Sequence, residues 1–152
     1  MGNTKAVRII GYLALLAGAV LIVAGGITWG VVRGQLVAEN ITIPEDAMAF
    51  QGNVVDGPLD AYVQADIINH HALEASGGKT YAELDREDPL REVVMNGSFL
   101  RTSLFSSVIA FGVAFFAGGM GILWALMGFA LLKLAPKTAP VVETKKPVAA
   151  TV

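Results

Sequence analysis

The chain has 152 residues, 54% of them hydrophobic and only 16% charged, with a net charge of −2. That length allows one small unit, more apolar than an ordinary soluble domain and nowhere basic enough to recognise nucleic acid. There is no cysteine, which excludes disulfides, thiolate catalysis and Cys-based zinc or iron–sulfur sites.

The first eight residues carry Lys5 and Arg8. MGNTKA narrowly misses a myristoylation signal, which requires Ser or Thr where Ala6 stands. Ile9 to Val32 is then a run of 24 residues without a formal charge. A helix needs about 20 apolar residues to cross the hydrocarbon core. The run is longer than the apolar core of a signal peptide and shows no convincing A-x-A cleavage site, so it is read as a retained transmembrane helix. Tyr12 and Trp29 lie near its two ends, where interfacial aromatics belong.

Residues 33–101 hold five basic and twelve acidic groups. Ile41-Thr42-Ile43 before Pro44 has the character of a short extended piece, and Asn53 to Pro58 is rich in turn formers. Pro58 suits the first turn of a helix and Gly77-Gly78 its end. Between them Ala61, Ala65, Ile68, Ala72 and Ala75 form an apolar stripe at helical spacing. Thr80 and Glu83 have capping-box spacing, which predicts a short helix from Tyr81 to Glu87. Asp88-Pro89 reads as an N-cap and first helical residue. From there a helical pattern can continue to Leu132 unless Asn96-Gly97 interrupts it. If unbroken it is a rod of about 66 Å, roughly twice the membrane core, with a stalk above the bilayer.

Thr102 to Leu132 is a second charge-free run, 31 residues long, and is read as the second transmembrane helix. After it the tail contains Pro136, Pro140 and Pro147, with neither helical periodicity nor aromatic residues, and is expected to be disordered.

Small residues recur at seven-residue spacing in both runs. Gly11, Gly18 and Gly25, with Ala14, lie on one face of the first. Ala114, Gly121 and Gly128, flanked by Ala117, Gly118 and Ala125, lie on one face of the second. Such faces let helix backbones approach closely in lipid. They would serve as a helix-packing interface, within one chain or with another subunit. Gly112 and Gly119 fall off that face. The competing reading is that glycine is simply common in membrane helices.

The fold class expected is therefore an all-α membrane protein. Its parts are an N-terminal segment (1–8), transmembrane helix 1 (9–32), a mostly helical loop (33–101), transmembrane helix 2 (102–132) and a tail (133–152). Basic residues near the span ends number six on the terminal side and four on the loop side. This bias places both termini in the cytoplasm and the loop outside the plasma membrane.

Few residues carry reactive chemistry. Asp66, His70 and Glu74 are four apart on one helical face, opposite the alanine stripe, and His71 with Glu74 gives an H-x-x-E. These are the only candidate metal ligands. A carboxylate-bridged di-iron site needs two E-x-x-H elements and two further glutamates, which the chain does not supply. A pH-responsive His70 and a plain solvated acidic face are the other readings. Gly78-Lys79-Thr80 lacks the upstream glycine of a P-loop, its place being taken by Leu73. Asn40-Ile41-Thr42 and Asn96-Gly97-Ser98 match glycosylation sequons and are read as chance.

The string IINHHALEASGGKTYAELDREDPLR, with ITWG late in the first run, resembles a family of short two-span membrane proteins of actinobacteria. The resemblance covers residues 1 to about 132. It implies no established function and no catalytic residue. Members of that family often carry the label aromatic ring-opening dioxygenase. Extradiol chemistry needs two His and one carboxylate on Fe(II). The two His of this chain are adjacent, and adjacent helical side chains diverge by about 100°. An intradiol-type site would draw on Tyr62, Tyr81, His70 and His71, which meet the count but not the geometry. The function expected is a non-enzymatic accessory or interaction subunit of a membrane or cell-envelope complex, without cofactor. Its partners would be lipid and another membrane protein or a second copy. A metal-dependent oxygenase and a small transporter subunit are the alternatives, and the spans contain no internal charge to mark an ion path.

Overall fold

A computed structural model of the chain describes residues 2–135. It contains three helices, α1 (Gly2–Ala38), α2 (Pro58–Ala75) and α3 (Leu90–Leu134). No strand forms among the described residues, only an antiparallel bridge between Thr42 and Val54. Two helical stretches, Thr4–Ala38 and Leu90–Leu134, are long and apolar enough to cross a membrane.

α1 overruns its charge-free segment at both ends. It starts before Lys5 and continues past Arg33 to Ala38. It stops where Asn40 enters the left-handed region, at φ 51°, and turns its side-chain amide back onto the Ala38 carbonyl. Asn is among the few residues that adopt this conformation readily. α3 is continuous for 45 residues, about 67 Å at the helical rise. Asn96-Gly97 does not interrupt it. Lys133 and Leu134 belong to the helix, so the expected irregular tail begins later, and residues 136–152 lie outside the described residues.

α1 and α3 run antiparallel along their small-residue faces. A Cβ on Gly18 would stand 2.6 Å from the Gly121 carbonyl oxygen, and one on Gly121 would stand 2.6 Å from that of Gly18. Gly128 meets the Gly11 carbonyl and Gly25 the Ala114 carbonyl at the same 2.6 Å. The seam therefore pairs residue 11 with 128, 18 with 121 and 25 with 114. Trp29 edge-on to Phe111 continues it outward, with ring centroids 4.7 Å apart. Leu36 and Leu104 are buried beyond that. Burial on α3 recurs every seven residues, at Leu104 and Phe111 and again at Ala114, Gly121 and Gly128. A straight helix drifts about 20° per heptad, so a seam sustained this far requires the two helices to wind slightly about each other.

The head is built on the outer ends of this pair. After Asn40 the chain forms a narrow hairpin: Val55 donates to the Ile41 carbonyl, Ile43 to Asn53 and Gly52 to Ile43, all at 2.9 Å. Ile43 and Val55 are fully buried in the head core with Ala47, Ala61, Val63, Ala65, Ile67 and Leu36. α2 then runs antiparallel to α3. Tyr62 lies edge-on to Phe105, Arg101 donates to Asn69, and a Cβ on Gly97 would stand 2.9 Å from the Ala72 Cβ. Ala61, Ala65 and Ala72 are buried as the stripe implies, but Ala75 is exposed. Val63 and Ile67 are also buried, because the hairpin supplies a second wall that periodicity alone does not reveal.

α2 ends in a Schellman motif, Gly78 donating to Leu73 and Gly77 to Glu74, both glycines at positive φ. The helix expected over Tyr81–Glu87 does not form; these residues are turns. Thr80 still donates to the Glu83 carboxylate through its amide at 2.8 Å and its hydroxyl at 2.7 Å. Only one of the two capping-box bonds is made, since the Thr80 hydroxyl binds the Glu83 carboxylate instead of the Glu83 amide, and Arg91 takes the carbonyls of Tyr81 and Leu84 for itself. Its guanidinium also sits 3.9 Å from the Tyr81 ring centre. Pro89, rather than Asp88, is the N-cap of α3, which starts at Leu90 without a side-chain cap; Asp88, one residue earlier, accepts from the Leu90 amide at 2.9 Å.

These contacts predict a position-dependent response to added bulk. Gly121→Leu should disrupt the seam by overpacking, about 1–3 kcal/mol. Gly119→Leu should not, since nothing lies within 4 Å of a Cβ there. The readout is a disulfide between cysteines placed at Ala14 and Ala125 in this cysteine-free chain, lost in the first variant and kept in the second. In the head, Gly97→Ala should loosen α2, measured as faster amide exchange from Ala61 to Ala72. Adding Ala72→Gly, which removes the clashing methyl, should restore protection.

Candidate functional site

The residues singled out for chemistry stand on the outer face of α2, which turns away from α3. Asp66, His70, His71 and Glu74 are all exposed. His70 Nε2 lies 3.1 Å from Glu74 Oε1, one turn along the same helix. His71 Nε2 lies 2.6 Å from Asp46 Oδ2, in the hairpin. The two imidazoles thus turn to different carboxylates, with ring centroids 6.3 Å apart. Adjacent helical residues diverge, and each ring takes the acceptor on its own side. Among the described residues, no three His, Asp or Glu side chains come together as metal ligands. Tyr62 and Tyr81 do not join the histidines. Tyr62 packs on Phe105, and Tyr81 lies under Arg91.

The hydrogen bond from His71 holds the Asp46 carboxyl below its ordinary value of 3.8. A second clamp joins the base of the hairpin to α1, where Arg33 donates to Asp56 through Nε at 3.2 Å and through Nη2 at 2.6 Å. That bond likewise lowers Asp56. Asp60, in the first turn of α2, moves the other way: burial raises its pKa, and the neighbouring Asp56 charge adds to the rise. Both clamps are solvent-exposed, so they fix geometry more than they add stability. Asp46 and Asp56 carry no periodic signal that sequence reading could use. Their partners lie 25 and 23 residues away.

The surface offers no enclosed pocket at these residues. Shallow, open grooves lie elsewhere, along Asp85 to Glu92 with Tyr81 and Met95. In the head core, Gln64 Oε1 is buried without a hydrogen-bond partner.

The small residues expected to pack helices divide into two sets. Gly11, Ala14, Gly18, Gly25, Ala114, Gly121 and Gly128 are buried. The backbones of Gly118 and Ala125 lie in the same contact, 3.1 Å from a Cβ on Gly25 and 2.8 Å from one on Gly18 respectively. Gly118's own Cβ direction is open, as are those of Gly112 and Gly119. Gly97, which seats α2, has no partner in the seven-residue pattern, and only the tertiary contact reveals its role.

Comparison with known proteins returns nothing to set beside this geometry: no family profile, no curated protein and no solved structure matches the chain.

The Asp46–His71 clamp has a definite pH dependence. A carboxyl whose pKa is lowered by folding stabilises the fold above its ordinary value and loses that contribution as pH falls through its folded value. Acidification below 3.8 should therefore release the hairpin from α2. Asp46→Asn should weaken the same attachment at neutral pH and flatten the acid response. Amide exchange at Ala47 and Gly52, which donate within the hairpin, reads both effects.

Proposed function

We propose that this chain is a non-enzymatic integral membrane protein acting as an accessory or interaction subunit of a membrane or cell-envelope complex. The observation that carries the proposal is the division of labour between its surfaces. The two long helices close on each other through their own glycines. The described histidines pair off singly with carboxylates. What remains outward is a rigid helical head and a broad apolar belt on both helices, including Leu13, Leu16, Val20, Phe115, Phe116 and Leu123. A belt of that extent suits lipid and neighbouring membrane helices. Hydroxyls at the outer end of α3 bond back to its own backbone, Thr102 to Ser98 at 2.7 Å and Ser106 to Ser103 at 2.7 Å. This suits a segment entering a medium poor in water.

The spans would lie in the plasma membrane with both termini in the cytoplasm and the head outside, as the excess of lysine and arginine at the terminal side favours. The resemblance to short two-span actinobacterial proteins is consistent with this placement and adds no activity.

Purification in mild detergent tests the role. The protein should co-migrate with a second component that crosslinking captures in native membranes. Migration as a bare monomer, with no crosslinked partner, would count against it. Orientation is tested by single cysteines. An impermeant thiol reagent on intact cells should modify Met48→Cys, in the hairpin, and spare Thr144→Cys. The reverse labelling would invert the topology.

A further inference from the structure

We infer that the first turn of α2 is a foot resting on the outer surface of the bilayer, with Leu59 at the acyl boundary and Tyr62 at headgroup level. This rests on the membrane-spanning reading above and adds to it a lipid contact made by the head.

Depth follows from register. The seam pairs 11 with 128 and 25 with 114, so Val32, the last residue of α1 before Arg33, is level with Ser107. The contacts of Tyr62 with Phe105 and of Ala72 with Gly97 show that α2 descends toward the spans as one moves to its N-terminus. Three residues below Tyr62, Leu59 is level with Val108, inside the zone where both long helices are charge-free. Trp29 lies three residues deeper, about 4.5 Å, against Phe111. At the other end Tyr12 is 64% exposed and Trp124 40% exposed. Tyr12 and Trp29 are separated by about 26 Å along α1, close to the thickness of the hydrocarbon core. Tyr12 and Trp29 mark the two edges of the core, and Tyr62 stands about 9 Å above Trp29, at headgroup height.

The exposed stripe of α2 changes character with height in the matching sense. Leu59 is 65% exposed and Tyr62 46% exposed. Above them on the same side stand Asp66, His70 and Glu74, all exposed. Read upward the order is apolar, amphipathic, charged, which is the order of environments met on leaving a bilayer. The charges near the foot are partly exposed and engaged with the chain itself. Asp60 lies beside Gly57, its Oδ2 3.4 Å from where a Cβ would stand, and Asp56 is held by Arg33.

The test uses full-length protein reconstituted in phosphatidylcholine–phosphatidylglycerol vesicles, with a bimane fluorophore on single cysteines at Leu59, Glu74 and Val20. Lipids spin-labelled near the headgroup should quench bimane at position 59 and leave position 74 unquenched, while iodide in water quenches position 74. Lipids labelled deep in the chain should quench position 20. Quenching at 20 without quenching at 59 overturns the foot and leaves the spans intact. No lipid quenching at 20 removes the spanning reading, and the foot with it. Protection of position 59 from both quenchers would mean that protein covers Leu59, and would also overturn the inference.

Discussion

A Cβ atom on Gly18 or on Gly121 would lie 2.6 Å from the other residue's carbonyl oxygen, closer than carbon and oxygen can pack. The absence of side chains at these two positions lets the backbones of α1 and α3 touch, and the rest of the molecule depends on that approach. Both helices are long and apolar enough to cross a membrane, and in the lipid setting proposed for them apolar side chains gain nothing by leaving acyl chains for one another. Association rests on the number of close contacts instead, each worth about 0.1–0.2 kcal/mol. Small residues at seven-residue spacing supply such contacts from Gly11–Gly128 to Gly25–Ala114. They also fix the register, because sliding one helix would drive Ile22 or Leu15 into a backbone that now faces glycine.

Register then determines the head. Pairing 18 with 121 places Ala38, the end of α1, opposite Arg101, with eleven residues of α3 from Leu90 to Leu100 standing beyond the overlap. α2 packs on that projecting part through Gly97 and on the top of the overlap through Phe105. The connecting hairpin closes the other side and is pinned at its base by Arg33–Asp56 and higher up by Asp46–His71. The exposed ion pairs direct the hairpin. Ile43 and Val55, with 1% and 0% of their surface exposed, anchor it.

Much of this was legible in the chain, and where it was not the reason is physical. The long helices are visible because charge vanishes for 24 and 31 residues. α2 is visible because Pro58 and the Gly77-Gly78 pair punctuate it. The glycine registers could be read as faces, but sequence periodicity does not say whether a face meets its own chain or another. The turn region around Tyr81 misled for a different reason. Thr80 and Glu83 form one of the two bonds that start a helix, yet Arg91, ten residues on, captures the Tyr81 carbonyl that a helix would have used. Both histidines are exposed on α2, and the four-residue spacing of Asp66, His70 and Glu74 is readable in the sequence. The carboxylate neighbour of His71, Asp46, was not found, because a contact across 25 residues leaves no mark in local spacing.

Solid-state NMR on membranes with ¹³Cα-labelled glycine tests the central contact most directly. A cross-peak between Gly18 and Gly121 should appear, accompanied by one between Gly11 and Gly128. Both should survive, at constant intensity per labelled chain, when labelled protein is diluted into unlabelled protein. Loss of the cross-peaks on dilution would show that the glycines pair between chains. Their absence at any dilution would show that the two backbones do not meet.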